Sequence, residues 1–132
     1  QVLRAFLEAE SYDGPSLIVA YSPCIAHGID LGNNLRQQRL AVDAGHWGLF
    51  RYDPRKAAAG ENPLHLDSRE PSVPYREFAM SETRFAMLER THPEAAHRFM
   101  QAAQHQTMAK FHLYEQLAGI ALGEKPGAET PK

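Results

Sequence analysis

The run Ser16-Leu17-Ile18-Val19-Ala20-Tyr21 constrains the fold more than any other stretch. After the serine it holds no polar side chain until the tyrosine hydroxyl, so it lacks the alternation of a strand with one wet face. Continuous apolarity of this length reads as a strand buried on both faces, as inside a parallel sheet flanked by helices. The residues before it fit that reading. Leu3, Phe6 and Leu7 recur at i, i+3, i+4 spacing and predict a helix over Val2 to Glu10, closed by the turn formers Asp13-Gly14-Pro15. One α-to-β step of this kind places the chain in the α/β class.

The rest of the chain extends that pattern. A glycine- and asparagine-bearing loop from Ser22 to Asn34 leads to a helix over about Leu35 to Ala44, with Leu40 and Ala44 on one stripe and Gly45 as its stop. His46 to Tyr52 reads as a short strand ended by Asp53-Pro54, and Arg55 to Asn62 as a turn. The alternation in Pro63 to Ser68 predicts a second strand pairing antiparallel with the first. After an extended, proline-punctuated stretch from Glu70 to Pro74, nearly everything to Gly119 reads as helix. It is interrupted once, at Thr91-His92-Pro93-Glu94, where Thr91 and Glu94 have capping-box spacing. Met100, Ala103, Thr107, Phe111, Tyr114 and Leu117 form one apolar face of the last helix. Residues 1–122 are read as one folded unit and 123–132 as a disordered tail. The order of elements suggests the trailing half of an α/β domain whose other strands lie upstream. A first residue of Gln1 and a helix that starts without a start signal also read as a fragment.

Composition narrows the function classes. The net charge is -2, and 14 Lys and Arg are scattered among 16 acids, so no basic stripe points to nucleic acid. No apolar run approaches the ~20 residues of a membrane span. One cysteine in the chain cannot form an internal disulfide, which predicts a reducing, cytoplasmic setting.

That cysteine, Cys24, follows the strand-like run directly, where chain leaving a parallel sheet aims side chains into the crevice that binds ligands. With His27 it has C-x-x-H spacing, which could supply two ligands of a zinc site. His46, His65, His92, His97, His105 and His112 add no paired-ligand pattern, and His105 and His112 lie roughly 10 Å apart along a helix. From the residues alone, a free cysteine at a strand end reads as a small buried hydrophobe. Gly28-x-x-x-Gly32 is not a phosphate-cradling loop. Trp47 and Phe50 read as core anchors, and Glu70 to Glu94 mostly as a solvated helical face.

The run from Asp13 through Tyr21-Ser22-Pro23-Cys24-Ile25-Ala26-His27-Gly28 resembles the C-terminal region of single-chain pyruvate:ferredoxin (flavodoxin) oxidoreductases. The likeness continues in order through Gly45-His46-Trp47-Gly48-Leu49-Phe50-Arg51-Tyr52-Asp53-Pro54, Asn62-Pro63-Leu64-His65-Leu66-Asp67-Ser68, Glu70-Pro71, Glu82-Thr83-Arg84-Phe85 and Pro93-Glu94-Ala95-Ala96. It covers Val2 to about Leu117. The resemblance implies the C-terminal portion of a thiamine-diphosphate-binding-type domain, strands first and a helical half after them. It implies an enzyme that oxidises pyruvate with coenzyme A to acetyl-CoA and CO2. Electrons then pass through iron-sulfur clusters to ferredoxin or flavodoxin. Cys24 matches the family's distant fourth ligand of a four-iron four-sulfur cluster, and clusters of that type require thiolates. The same resemblance places the other three cysteines, the thiamine diphosphate and its magnesium upstream of Gln1, and implies a homodimer. This piece would then be inactive alone, with the remainder of the same polypeptide as its first partner. His27 is read as structural. The rival reading is a non-catalytic α/β interaction module with a buried structural cysteine.

Overall fold

The computed structural model describes residues 1–121 of the chain; the tail read as disordered lies outside them. The helix α1, Val2–Glu10, forms where the apolar spacing predicted it. None of its residues is buried, and Leu3 stays 73% exposed. Its attachment is polar instead. Glu8 accepts a hydrogen bond from Arg51, Gln1 donates to Asp67 at 3.2 Å, and Arg55 Nη1 donates to the Ser11 carbonyl at 2.9 Å. Arg51 grips Asp67 through two parallel bonds of 2.7 and 2.8 Å, a geometry that adds direction to the charge attraction.

The predicted buried strand is not formed. Residues 15–24 belong to no sheet, and Leu17 and Val19 are 87% and 66% exposed. The preference of β-branched residues for strands is a preference for packing on neighbouring strands, and the described residues offer this run none. The chain instead reaches the core at Tyr21, continues through buried Pro23, and enters a 3-10 turn, Ile25–His27. A second 3-10 turn, Leu31–Asn33, leads into α2, Asn34–Asp43.

Gly45 ends this region as expected, and for two reasons. Its φ of +69° is a left-handed conformation that side chains rarely adopt. A Cβ there would also lie 2.7 Å from both Pro71 Cγ and Thr107 Cγ2, so the absence of a side chain lets the helix carrying Thr107 approach. The strands β1, Phe50–Tyr52, and β2, Leu64–Leu66, pair antiparallel in the register Phe50 to Leu66, Arg51 to His65 and Tyr52 to Leu64. They are the only sheet among the described residues. The structure is therefore mixed α/β with helices dominant. Between the strands a short helix, α3, Pro54–Ala58, replaces the expected turn. Asp53 accepts a hydrogen bond from the Arg55 amide and Pro54 occupies the first helical position, so a dipeptide read as a strand stop is also a helix start.

The helical half is broken twice, not once, into α4, Tyr75–Met80, α5, Thr83–Thr91, and α6, Pro93–Ala118. The capping box is absent. Pro93 pushes His92 out of helical geometry, so His92 is the N-cap, while Thr91 stays in α5 and its hydroxyl donates to the Met87 carbonyl. Leu40, Ala41, Ala44, Tyr75, Phe78 and Ala79 form the core, with Trp47, Met100 and Ala103 packed against it. Of the predicted α6 stripe, Thr107 and Phe111 are buried, whereas Leu117 is exposed. Phe50 is exposed too; its ring lies 5.2 Å from that of Tyr114.

Candidate functional site

Cys24 is a free, exposed thiol, not a buried one. Its neighbours explain how an exposed side chain can still be held in place. Pro23 on one side and Ile29 on the other are both buried, so the segment carrying the thiol is pinned at each end. Between them the backbone is tightly wound. Cys24 is the N-cap of the Ile25–His27 turn, its carbonyl accepts the His27 amide at 3.0 Å, and Ile25 accepts the Gly28 amide at 2.9 Å.

Gly28 closes the turn with φ +74°. Its carbonyl accepts from the Thr83 hydroxyl at 2.8 Å and from the Thr83 amide at 3.4 Å. A Cβ on Gly28 would stand 2.3 Å from Thr83 Cβ, closer than real carbon atoms approach. The loop is thus seated on the break between α4 and α5.

Beneath that break lies Glu82, which is completely buried. Its carboxylate accepts from Gln37 Nε2 of α2 at 3.3 Å and from Arg84 Nε at 2.6 Å. Ser81 donates to the Gln37 side-chain carbonyl, closing a polar junction among α2, α4 and α5. Reading 70–94 as a solvated face missed this residue. Its signal was the pair Ser81-Glu82 breaking a helix beside a polar Gln37 on the stripe of Leu40 and Ala44.

An aromatic layer joins the junction to the loop. Tyr21 lies 5.7 Å from Trp47 and 5.8 Å from His46, and His46 stacks on Phe78 at 4.4 Å between centroids. Burial, then the Glu82 carboxylate, push the Tyr21 phenol above its ordinary value. Burial and the Lys110 ammonium hold His46 below its own, favouring the neutral ring. Lys110 donates to the His46 carbonyl at 2.7 Å, which ties α6 to the same layer.

His27 sits half-buried in the turn, and no group of three or more His, Cys, Asp or Glu converges on a metal position among the described residues. The donor set is thus one soft, solvent-facing thiol on a braced loop. It fits a single ligand of an iron-sulfur cluster and cannot hold one by itself. An apolar groove of about 520 Å³ lies elsewhere, between α6 and the salt bridge Arg76–Glu89, and no residue of the Cys24 loop lines it. No helix among the described residues is long and apolar enough to cross a membrane.

Comparison with known proteins gives this arrangement a context. No protein-family model matches the chain. It is 48% identical over 116 residues, 88% of its length, to a pyruvate-flavodoxin oxidoreductase of Trichormus variabilis. Over 130 residues, 98% of its length, it is 46% identical to a pyruvate-flavodoxin oxidoreductase of Rhodospirillum rubrum. A pyruvate:ferredoxin oxidoreductase of Moorella thermoacetica is 43% identical over 118 residues, 89% of the chain. The chain spans about a tenth of the length of these relatives, between 10% and 11%. The relatives are oxidoreductases. By sequence the chain belongs, as a matching segment, to the pyruvate-flavodoxin/ferredoxin oxidoreductase family.

Proposed function

We propose that this chain is the C-terminal part of the thiamine-diphosphate-type domain of a pyruvate:ferredoxin (flavodoxin) oxidoreductase, and that Cys24 supplies one thiolate to a four-iron four-sulfur cluster. The observation that carries the reading is the exposed thiol held between buried Pro23 and Ile29, on a chain 42–48% identical to relatives of that name. Burial in a small core would make the thiol inert; exposure on a braced turn leaves it open to a metal. When bound, the cluster accepts and passes on the electrons released as pyruvate is converted with coenzyme A to acetyl-CoA and CO2. The three other thiolates, the thiamine diphosphate and its magnesium belong, in this reading, to protein outside this sequence. Ferredoxin or flavodoxin is the acceptor.

Within such an enzyme this chain's residues do three things. Cys24 donates sulfur to iron. Pro23, Ile29 and the Ile25–His27 turn fix where that sulfur stands. Leu17, Val19 and the apolar face of α1 (Leu3, Phe6 and Leu7) meet the remainder of the polypeptide, the first pair by entering a sheet there. Exposure of six large apolar side chains, Ile18 included, within seventeen residues supports that contact.

The test uses the complete enzyme. Cys24→Ala is expected to lower iron and sulfide by one cluster, remove one reduced-cluster EPR signal, and abolish pyruvate-dependent reduction of the acceptor. The 132-residue chain alone is expected to bind no cluster. Full iron content and an unaltered EPR spectrum in the alanine variant would refute the assignment.

A further inference from the structure

The block Glu82-Thr83-Arg84-Phe85 is remote from Cys24 in sequence, yet it touches the cysteine's loop at Gly28. We propose that Thr83 is a positioning residue for the Cys24 thiol, acting through the Gly28 carbonyl. The proposal rests on the reading of Cys24 as a cluster ligand and concerns what sets the place and direction of its sulfur.

Three observations carry it. First, the turn from Cys24 to Gly28 is wound by two backbone hydrogen bonds, 3.0 Å to the Cys24 carbonyl and 2.9 Å to the Ile25 carbonyl. It therefore moves as one short rod, and a shift at Gly28 is transmitted to Cys24. Second, beside the buried Ile29, the Gly28 carbonyl at the far end of that rod is held by one residue. Thr83 donates both its hydroxyl and its amide to the Gly28 carbonyl, and its side chain occupies the space where any Cβ at position 28 would have to go. Third, Thr83 is anchored from below. It opens α5 directly after Glu82, and the buried Glu82 carboxylate is tied to α2 through Gln37 and to α5 through Arg84. The hydroxyl that reaches the loop thus stands on the most buried polar junction of the helical half, while Thr83 itself is exposed.

A thiolate ligand influences its cluster through the direction of its sulfur and the hydrogen bonds and solvent around it. Loosening the Gly28 end changes those without removing the ligand. The consequence is a chain of two contacts, Thr83 to Gly28 and Gly28 through the turn to Cys24, that separates holding the iron from tuning it.

The experiment compares Thr83→Val, Thr83→Ser and Cys24→Ala in the complete enzyme. Iron content, the EPR spectrum and midpoint potential of the cluster are measured, together with turnover. Valine keeps the shape and deletes the hydroxyl; serine keeps the hydroxyl. The expected result is a displaced EPR spectrum and potential in Thr83→Val at unchanged iron content, return of both to the parent values in Thr83→Ser, and loss of the cluster in Cys24→Ala. A Thr83→Val cluster spectrally identical to the parent's, or equal displacement in the valine and serine variants, overturns the positioning role while leaving Cys24 a ligand. Retention of all iron in Cys24→Ala overturns the ligand reading itself.

Discussion

Glu82 offers the sharpest quantitative test of how the helical half is held together. It is completely buried, yet its partner Arg84 is 41% exposed on its side chain, so the pair is buried at one end and hydrated at the other. Removing one member of a fully buried pair costs about 3–5 kcal/mol, because the other charge is left stranded. Here the stranded guanidinium can turn to water, and that part of the loss is largely recovered. What remains is the amide of Gln37. Without Glu82 its nitrogen keeps only the Phe78 carbonyl, at a marginal 3.5 Å, and an unsatisfied buried donor costs about 1–3 kcal/mol. Adding about 1 kcal/mol for the void left by the side chain brings Glu82→Ala to about 2–4 kcal/mol. With a urea m-value of about 2 kcal/mol/M, the unfolding midpoint of the chain falls by roughly 1–2 M. The same reasoning makes a second, less intuitive demand. Replacing both Gln37 and Glu82 by leucine removes donor and acceptor together, so the double variant loses clearly less than the sum of its single variants. A Glu82→Ala midpoint indistinguishable from the parent's, or strictly additive leucine variants, would refute the junction as a stabilising unit.

Two further outcomes follow from the geometry. Because burial and Lys110 depress His46 below its ordinary 6.5, the unfolded chain takes up that proton first. Its contribution to stability is complete above about pH 6.5 and declines as the pH falls toward the folded value; His46→Gln should flatten the urea midpoint measured between about pH 7.5 and 5.5, and an equal slope in both proteins would contradict the cause assigned. Cys24, being exposed, should react with a thiol reagent in the native chain nearly as fast as in the unfolded one, whereas strong native protection would show that the loop is closed over it.

How much of this was legible in the sequence depends on how far apart the deciding residues are. The helix before Gly45, the hairpin of Phe50–Tyr52 with Leu64–Leu66 and the α1 helix are each settled by spacing within a few residues, and each stands where the periodicity put it. The environments were not legible, because they are set by contacts between distant segments. Glu82 is buried by Gln37, 45 positions away, and Gly28 is held by Thr83, 55 positions away. No local pattern reports either distance. The run Ser16–Tyr21 fails in the opposite sense, since its composition describes neighbours that the described residues do not contain. Its apolar side chains and the exposed thiol are therefore best understood together. Val19 and Cys24 are separated by at most about 18 Å of chain, five steps at no more than about 3.6 Å each. Protein that covers Leu17 and Val19 must arrive within that reach of the thiol. Under the proposed function, the segment that completes the sheet and the segments that complete the cluster would then meet this chain within about 18 Å of each other, so docking of the one would help to close the other.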